Sequence, residues 1–320
     1  MRATRALLTL IFLAILPLPA PASGGPQGAS LTEGCKEKSW GYRCFYGPYD
    51  ATYDPDEEHN EYGLIPAPPE AGYITSMHAT LVDEEGDHVG RHEAHLHHVV
   101  FANPNRSNLM CPGFPADTFF ASGKERTKMQ LPDGYGYFWD AGSPPGYPGY
   151  PPTWGIVHHV MTMHEGHSTE VFVRLDLGFD AVDEGSLIDV TPVWLDVMGC
   201  AGDPVFDVRK GSGTKGVYER SLEMTVPAGG RFVALGGHLH DGGLKLRLDD
   251  MTSGEKLWVS RATYGPANRG WDLRRMSSFS GIPGSEVAEG DRVKLTAYYD
   301  STHRWKKVMG IMVGALAPSE

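Results

Sequence analysis

The sequence contains no window of eleven or more residues in which apolar side chains recur with a helical period. Glycine and proline, which interrupt regular structure, are abundant at 40 and 24 of the 320 residues. Short stretches of alternating apolar and polar residues lie between them, for example 171–177 and 293–299. Such alternation is typical of strands with one buried face. The sequence therefore predicts an all-β fold built like a sandwich.

Basic residues are also scarce, because 28 Lys and Arg stand against 40 Asp and Glu, for a formal net charge of −12. A surface of this sign argues against nucleic acid and anionic membranes as partners. The sequence contains no GxSxG, P-loop or dinucleotide fingerprint. A small-molecule or peptide substrate is left open, and the sequence does not determine the oligomeric state.

Long apolar runs are limited to the first residues of the chain. Arg2 and Arg5 precede an apolar run over 6–18, and the small residues at 20–22 follow it. This pattern predicts a signal peptide over residues 1–22. No later segment is apolar and long enough to cross a bilayer. We therefore expect a protein that is secreted or extracytoplasmic once the signal peptide is removed.

The chain has only four cysteines, and none of them belongs to a CxxC pair: Cys35, Cys44, Cys111 and Cys200. Without CxxC pairs a zinc–thiolate site is not expected. An even number of cysteines in an exported protein predicts two disulfides, and three pairings are open. In one of these pairings Cys35 and Cys44 close a short loop, and Cys111 and Cys200 form a long-range disulfide.

Histidine is the residue present in excess, with 14 copies. Ten of them fall in the three segments 92–98, 158–167 and 238–240. In the last segment His238 and His240 are two apart on extended chain, so both imidazoles face one side. A lone pair of this kind is more often a pair of surface histidines. Three such segments within a β framework favour a metal site instead.

Two methionines near the C-terminus, Met309 and Met312, bear on the identity of the metal. A thioether is a soft ligand that favours copper over zinc. Residues three apart on a strand point to opposite faces, so at most one of the two reaches the metal. The other is expected in the core, where methionine is a common filler.

Four segments with these residues resemble the copper type II, ascorbate-dependent monooxygenases, which include peptidylglycine hydroxylase, and most of all their stress-upregulated nodulin-like branch. The segments are HLHHVVFANP at 95–104, LPDGYGY at 131–137, GGHLH at 236–240 and VMGIM at 308–312. The resemblance implies two jelly-roll-like antiparallel β-sandwich domains, over 23–180 and 181–320, that face each other across a cleft.

The resemblance also implies two copper ions per chain. An electron-transfer copper in the N-terminal domain would be held by His97, His98 and His164. An oxygen-binding copper in the C-terminal domain would be held by the residues that also carry catalysis, His238, His240 and Met309.

Two points of this ligand set are open. His158 and His159 are alternatives to His164 as the third ligand. Adjacent residues on a regular strand face opposite ways, so His97 and His98 can share a metal only where the strand twists or bulges. His95 is a substitute or a supporting group.

The implied activity is hydroxylation of a C–H bond with O2 and a reductant such as ascorbate. A copper-binding protein without turnover, serving in sequestration or delivery, is the alternative. Gly236 stands where peptide-amidating members have a basic residue that clamps the substrate carboxylate, and Ile311 and Val313 replace their Asn and Tyr. The substrate is therefore open, and Trp271, Tyr298 and Tyr299 are candidate linings of its pocket.

A zinc hydrolase with three histidine ligands is a further hypothesis. It needs a carboxylate as general base, for which Asp241 or Glu165 is adjacent to candidate ligands. This hypothesis ranks below the copper protein because it gives Met309 no role.

Overall fold

The computed structural model describes residues 31–54, 60–162, 164–182, 187–266 and 270–319. The predicted signal peptide at 1–22 lies outside these ranges. Within them the chain forms strands and no α-helix, which confirms the all-β prediction.

The strands are listed here in chain order with their bounds: β1 (Gly34–Lys38), β2 (Gly41–Tyr53), β3 (Glu61–Pro66), β4 (Gly72–Val82), β5 (His95–Asn103), β6 (Asp117–Gly123), β7 (Lys128–Gln130), β8 (Tyr135–Trp139), β9 (Thr153–Thr162), β10 (Ser168–Ala181), β11 (Ile188–Asp189), β12 (Thr191–Asp196), β13 (Phe206–Val208), β14 (Val217–Thr225), β15 (Gly230–Leu239), β16 (Gly243–Asp250), β17 (Lys256–Tyr264), β18 (Leu273–Met276), β19 (Ser278–Val287), β20 (Arg292–Asp300), β21 (Trp305–Val308) and β22 (Gly310–Ala317).

The first eleven strands form one sheet in the order β11-β8-β4-β10-β2-β9-β5-β6, with β1, β3 and β7 attached to β2, β9 and β4. Most neighbours are antiparallel, but β2–β9 and β11–β8 are parallel pairs. The core of this half is aromatic, and its large fully buried side chains include Tyr46, Phe101, Trp139 and Trp154.

The remaining strands form separate sheets. A four-stranded sheet has the order β12-β22-β15-β19, a five-stranded sheet the order β14-β20-β16-β17-β18, and β13 pairs with β21. The change from the first sheet to these sheets falls between β11 and β12. The predicted domain boundary at 180/181 stays a prediction.

The four-stranded sheet belongs to both hydrophobic cores. Along β22, Met312 and Leu316 pack in the C-terminal core, whereas Ile311 and Val313 pack in the core of the N-terminal half. This alternation follows from the period of two along a strand. Residues Leu31–Glu320 consequently form one compact unit. The expected arrangement of two domains across an open cleft is not confirmed.

Both disulfides are formed. Cys35 bonds Cys44 between directly opposed residues of β1 and β2, and Cys111 bonds Cys200, 89 residues away. Disulfides persist in oxidising compartments, so the two bonds are consistent with an extracellular protein. Among the described residues, no helix has the length and apolar character that a membrane span requires.

Asp117, at the start of β6, is a carboxyl group buried in the N-terminal half. It is 1% exposed, and its Oδ1 has no hydrogen-bond partner in the described ranges. The nearby Arg106 is held by Asp189 at 3.0 Å. Burial raises the pKa of Asp117 to about 7, opposed by Arg106 and assisted by the charge of Asp189. The folded protein therefore keeps this group protonated in mildly acidic solution.

We predict that Asp117→Asn stabilises the protein more at pH 8 than at pH 4.5. The pKa of Asp117 in the folded protein lies above its unfolded value near 4. The free energy of unfolding of the wild type therefore falls by about 1.4 kcal/mol per pH unit between these two pKa values, and it falls no further above about pH 7. Urea unfolding of both proteins at both pH values measures the difference. Asp133→Asn, at an exposed aspartate, is the control, and an Asp117→Asn effect that does not vary with pH would contradict the prediction.

Candidate metal centre

Strands β5 and β9 bring three histidines together. His98 lies directly opposite His159 in the antiparallel register. The register shifts between Leu96 and His98, which places His97 at a β-bulge. This is the irregularity that lets adjacent histidines face the same side. As a result the Nδ1 atoms of His97 and His98 are 3.1 Å apart.

One ring nitrogen from each of His97, His98 and His159 lies within 4.8 Å of the others, and all three side chains are buried. An imidazole nitrogen binds a metal ion at about 2.0–2.1 Å, so two donors on one ion lie within about 4 Å of each other. The His97–His98 pair already meets this condition. The group therefore fits a metal ion with small rotations of the side chains.

The other histidines of the second segment lie elsewhere. His164 is exposed in the turn after β9, where its ring is 6.0 Å from that of His167. His158 stacks on Tyr49 with a ring separation of 3.7 Å, because adjacent residues of β9 face opposite sides. The structure thus brings His159 to His97 and His98 in place of His164.

The HxH segment lies at the end of β15, with His238 in the strand and His240 directly after it, and it is aligned with the methionine before β22. His238 pairs with Ile311, and the same register continued by two residues places His240 opposite Met309. The His238 and His240 rings are 5.2 Å apart. The Tyr299 hydroxyl accepts a hydrogen bond from the His240 N–H at 3.0 Å and donates one to the Met309 carbonyl at 2.6 Å. One buried tyrosine therefore fixes both candidate ligands.

The two predicted ligand sets meet in the structure. The ring of His97 lies 4.6 Å from that of His240, edge to face. We call the group formed by the two sets the five-histidine cluster: His97, His98, His159, His238 and His240. The N-terminal and C-terminal ligands are adjacent in this conformation rather than separated by a cleft.

Asn60 and Asp54 orient two of the N-terminal histidines. Asn60 Oδ1 lies 2.6 Å from His98 Nε2. An amide oxygen only accepts hydrogen bonds, so Nε2 carries the proton and Nδ1 is left as a donor for a metal. The buried carboxylate of Asp54 lies 3.4 Å from His159 Nε2. Such outer contacts fix the tautomer of a metal-binding histidine.

Glu125, in the turn after β6, gives the same support to His238. Its carboxylate is 2% exposed, accepts hydrogen bonds from the Gly123 N–H and the Thr127 hydroxyl at 2.9 Å, and lies 3.1 Å from His238 Nδ1. Burial alone raises the pKa of Glu125, but His238 and these hydrogen bonds outweigh it and hold the pKa below its usual value. The proton is thereby placed on Nδ1 of His238.

The opposite nitrogen of His238 is consistent with a metal ligand. Its Nε2 is buried and has no hydrogen-bond partner in the part of the chain that the structure describes. A buried polar atom without a partner is costly and needs an explanation. The ring of His238 packs closely against Gly123, since a Cβ at that position would lie 2.8 Å from His238 Cε1.

Two histidines of the cluster, His98 and His240, are held in the neutral form by their surroundings. Burial, followed by the neighbouring histidines, lowers the pKa of His98 and of His240 well below the usual value. Burial also lowers the pKa of His95 to about 3, assisted by Lys124 and His97. Neutral imidazole is the form that binds metals. The donors present, imidazoles with one thioether close by, fit copper.

An apolar cavity of about 280 Å³ opens on this group. His98, His238 and Met309 are at its base, and Trp194 and Phe114 are among its walls. The candidate linings suggested by the sequence lie elsewhere: Trp271 lines another cavity, Tyr299 is fully buried, and Tyr298 contacts Lys245. We call this space the apolar cavity.

The carboxylates that contact the cluster histidines are not those named from the sequence. Asp241 is engaged by Lys124 at 2.7 Å and by the Leu273 N–H at 3.0 Å, and Glu165 is exposed in the turn with His164. Asp54, Asn60 and Glu125 were missed, since no motif marks them. The buried carboxylates orient histidines, which gives no support to a zinc hydrolase base.

Two curated proteins are similar to this chain. "Probable copper-dependent oxygenase clz3" of Cochliobolus lunatus is 29% identical over 216 residues, which are 65% of this chain and 64% of that protein. "Probable copper-dependent oxygenase M1" of a Phoma species is 28% identical over 218 residues, which are 65% of this chain and 51% of that protein. The chain thus spans about half to two thirds of the length of these relatives.

These names agree with the copper monooxygenase-like family that the motifs resemble, and they do not distinguish its branches. No protein-family model matches the chain. Among solved structures, the major capsid protein P2 of bacteriophage PM2 aligns at 11% identity and a TM-score of 0.33, over 87% of this chain and 98% of that one. At that score the alignment supports no assignment of fold or function.

We predict that Glu125→Gln lowers copper affinity by about 10- to 100-fold, the usual cost of losing an outer partner of a ligating histidine. The neutral amide of Gln lacks the negative charge by which the Glu125 carboxylate holds the His238 proton on Nδ1. Titration of copper(I) against a competing chelator measures the affinity. Glu223→Gln, at an exposed carboxylate that pairs with Arg292, is the matched control. Equal affinities for Glu125→Gln and wild type would show that this contact does not support a ligand.

Proposed function

We propose that the protein is a secreted copper-dependent monooxygenase that hydroxylates a C–H bond of a small apolar substrate with O2 and a reductant such as ascorbate. One observation carries the proposal: histidines from both halves of the chain and Met309 converge at the base of the apolar cavity. The names of the two relatives support copper and oxygenase chemistry.

Two ions per chain are proposed. The first would be held by His97, His98 and His159, and the second by His238, His240 and Met309. When bound, copper supplies the redox chemistry that activates O2. Burial favours the neutral form of His98 and His240, and Asn60, Asp54 and Glu125 orient the rings of His98, His159 and His238. It also places the ligands of the two sets close enough for an electron to pass between them.

The apolar cavity defines the substrate class. It contains one carboxylate, Asp203, and no lysine or arginine among its lining residues. A substrate carboxylate would find no cation there, in agreement with Gly236 at the position of the family's basic clamp. An uncharged apolar molecule fits these walls.

Secretion is part of the proposal. The sequence pattern at 1–22 and the two disulfides support export to an oxidising compartment. Membership of the stress-upregulated nodulin-like branch and the absence of nucleic-acid and membrane partners are proposed on the sequence alone. The alternative, copper binding without turnover, uses the same donors, but it gives the apolar cavity beside Met309 no role.

We predict that Met309→Leu lowers ascorbate-driven O2 uptake of the copper-loaded protein by tenfold or more, on the order of the effect of removing a group that tunes a metal site. Met312→Leu, in the C-terminal core, is the control, because exchanging Met for Leu in a core changes volume little. Uptake is measured with an oxygen electrode at equal copper content.

The two functions are separated by the same experiment. If the wild type takes up O2 no faster than the Met309→Leu variant at equal copper content, the oxygenase proposal is ruled out. Tight copper binding in that case would support the copper-binding alternative.

A further inference from the structure

A second cavity, of about 510 Å³, is lined by four cationic side chains and one tryptophan: Arg91, Lys124, Arg126, Arg274 and Trp271. Its volume is in the range of small-molecule sites. It shares no lining residue with the apolar cavity. We call it the basic cavity. Four of the 28 lysines and arginines thus line one cavity of a protein whose net charge is −12.

Two of the four cations are neutralised within the protein. Lys124 pairs with Asp241 at 2.7 Å, and Arg274 pairs with Asp272. Asp241 and Asp272 are the two carboxylate residues that line the cavity. Both are engaged, so neither is left to compensate a further cation.

Arg91 and Arg126 remain without a carboxylate within 4.0 Å among the described residues. Arg91 donates long hydrogen bonds to the carbonyls of Leu273 and Arg274, at 3.3 and 3.4 Å, and Arg126 lies 3.2 Å from His88 Nε2. Neither set of contacts brings a negative charge. Two guanidinium groups therefore line the basic cavity without a direct ion pair among the described residues, and Asp272 and Glu125 attract Arg91 only at longer range.

Keeping these cations together is costly. Burial, then the charges of Arg126 and Arg274, lowers the pKa of Arg91 to about 10, and burial with Arg274 lowers the pKa of Arg126. Arg126 also has a φ of 55°, the left-handed region that non-glycine residues seldom adopt. Strained residues of this kind cluster at binding sites. An anion in the cavity would offset both the repulsion and the desolvation.

Trp271 gives the cavity an aromatic wall with a fixed orientation. Its ring packs edge to face against Tyr264 at 5.0 Å and Trp305 at 5.5 Å. These contacts hold the indole beside the arginines, and a planar ligand can stack on such a ring. The combination of a flat apolar wall and two guanidinium groups differs from a simple phosphate site.

We propose that the basic cavity binds a planar organic oxyanion, a ring that carries a carboxylate or phosphate group. The oxygens of the ligand pair with Arg91 and Arg126, because a planar guanidinium group forms two parallel hydrogen bonds to an oxyanion. The ring of the ligand lies against Trp271. The assignment does not depend on the proposed oxygenase activity.

The test is calorimetric titration of the full-length mature protein with isophthalate, with neutral isophthalamide of the same shape, and with inorganic pyrophosphate. We expect saturable isophthalate binding at least tenfold tighter than isophthalamide. Arg126→Met should weaken isophthalate binding by tenfold or more. Arg292→Met, at an exposed arginine paired with Glu223, should stay within twofold of wild type. Trp271→Leu should weaken isophthalate binding and leave pyrophosphate binding unchanged.

Arg126→Lys keeps the positive charge but loses the paired N–H donors of the guanidinium group. We expect this variant to bind isophthalate with an affinity between those of wild type and Arg126→Met. Thermal unfolding of each variant establishes that it is folded. The proposal is overturned if isophthalate binds no tighter than isophthalamide, or if a folded Arg126→Met variant binds it like wild type. Pyrophosphate binding with no detectable isophthalate binding would overturn the planar organic ligand and indicate inorganic phosphate instead.

Discussion

The structure depends on the burial of imidazoles from both halves of the chain at one point. Burial disfavours the charged form of an imidazole, and the neighbouring histidines lower the pKa of His98 and of His240 further. The four-stranded sheet makes the meeting possible, since one of its faces, with Ile311 and Val313, packs into the N-terminal core while the other packs into the C-terminal core. The same packing brings His240 within 4.6 Å of His97, measured between ring centres.

The residues around the five-histidine cluster orient the proposed ligands. Asp54, Asn60 and Glu125 accept or balance the outer nitrogens, so the inner nitrogens present lone pairs. Tyr299 fixes the backbone of His240 and of Met309 with one hydroxyl. The apolar and basic cavities share no lining residue, so an uncharged substrate and an anionic ligand could be bound at once.

Several features were predictable from residue patterns alone. Period-two alternation gave the strands, and the spacing of Met309 and Met312 gave their opposite faces. The alternation of side chains along a strand also required an irregularity at His97 if it and His98 share a metal, and the β-bulge supplies it. The third histidine could not be chosen, because His159 reaches the cluster through pairing of β9 with β5, a long-range contact. Glu125 belongs to no sequence motif, so its contact with His238 could not be predicted.

The convergence of the two ligand sets is tested most directly by a double-mutant cycle on copper(I) affinity with His97→Ala, His240→Ala and the double variant. Residues of one centre are coupled, whereas distant sites add within about 0.3–0.5 kcal/mol. The structure predicts a coupling energy above that limit, with chelator competition as the measurement. Additive losses would mean that the two sets bind metal independently and apart, which would contradict the five-histidine cluster.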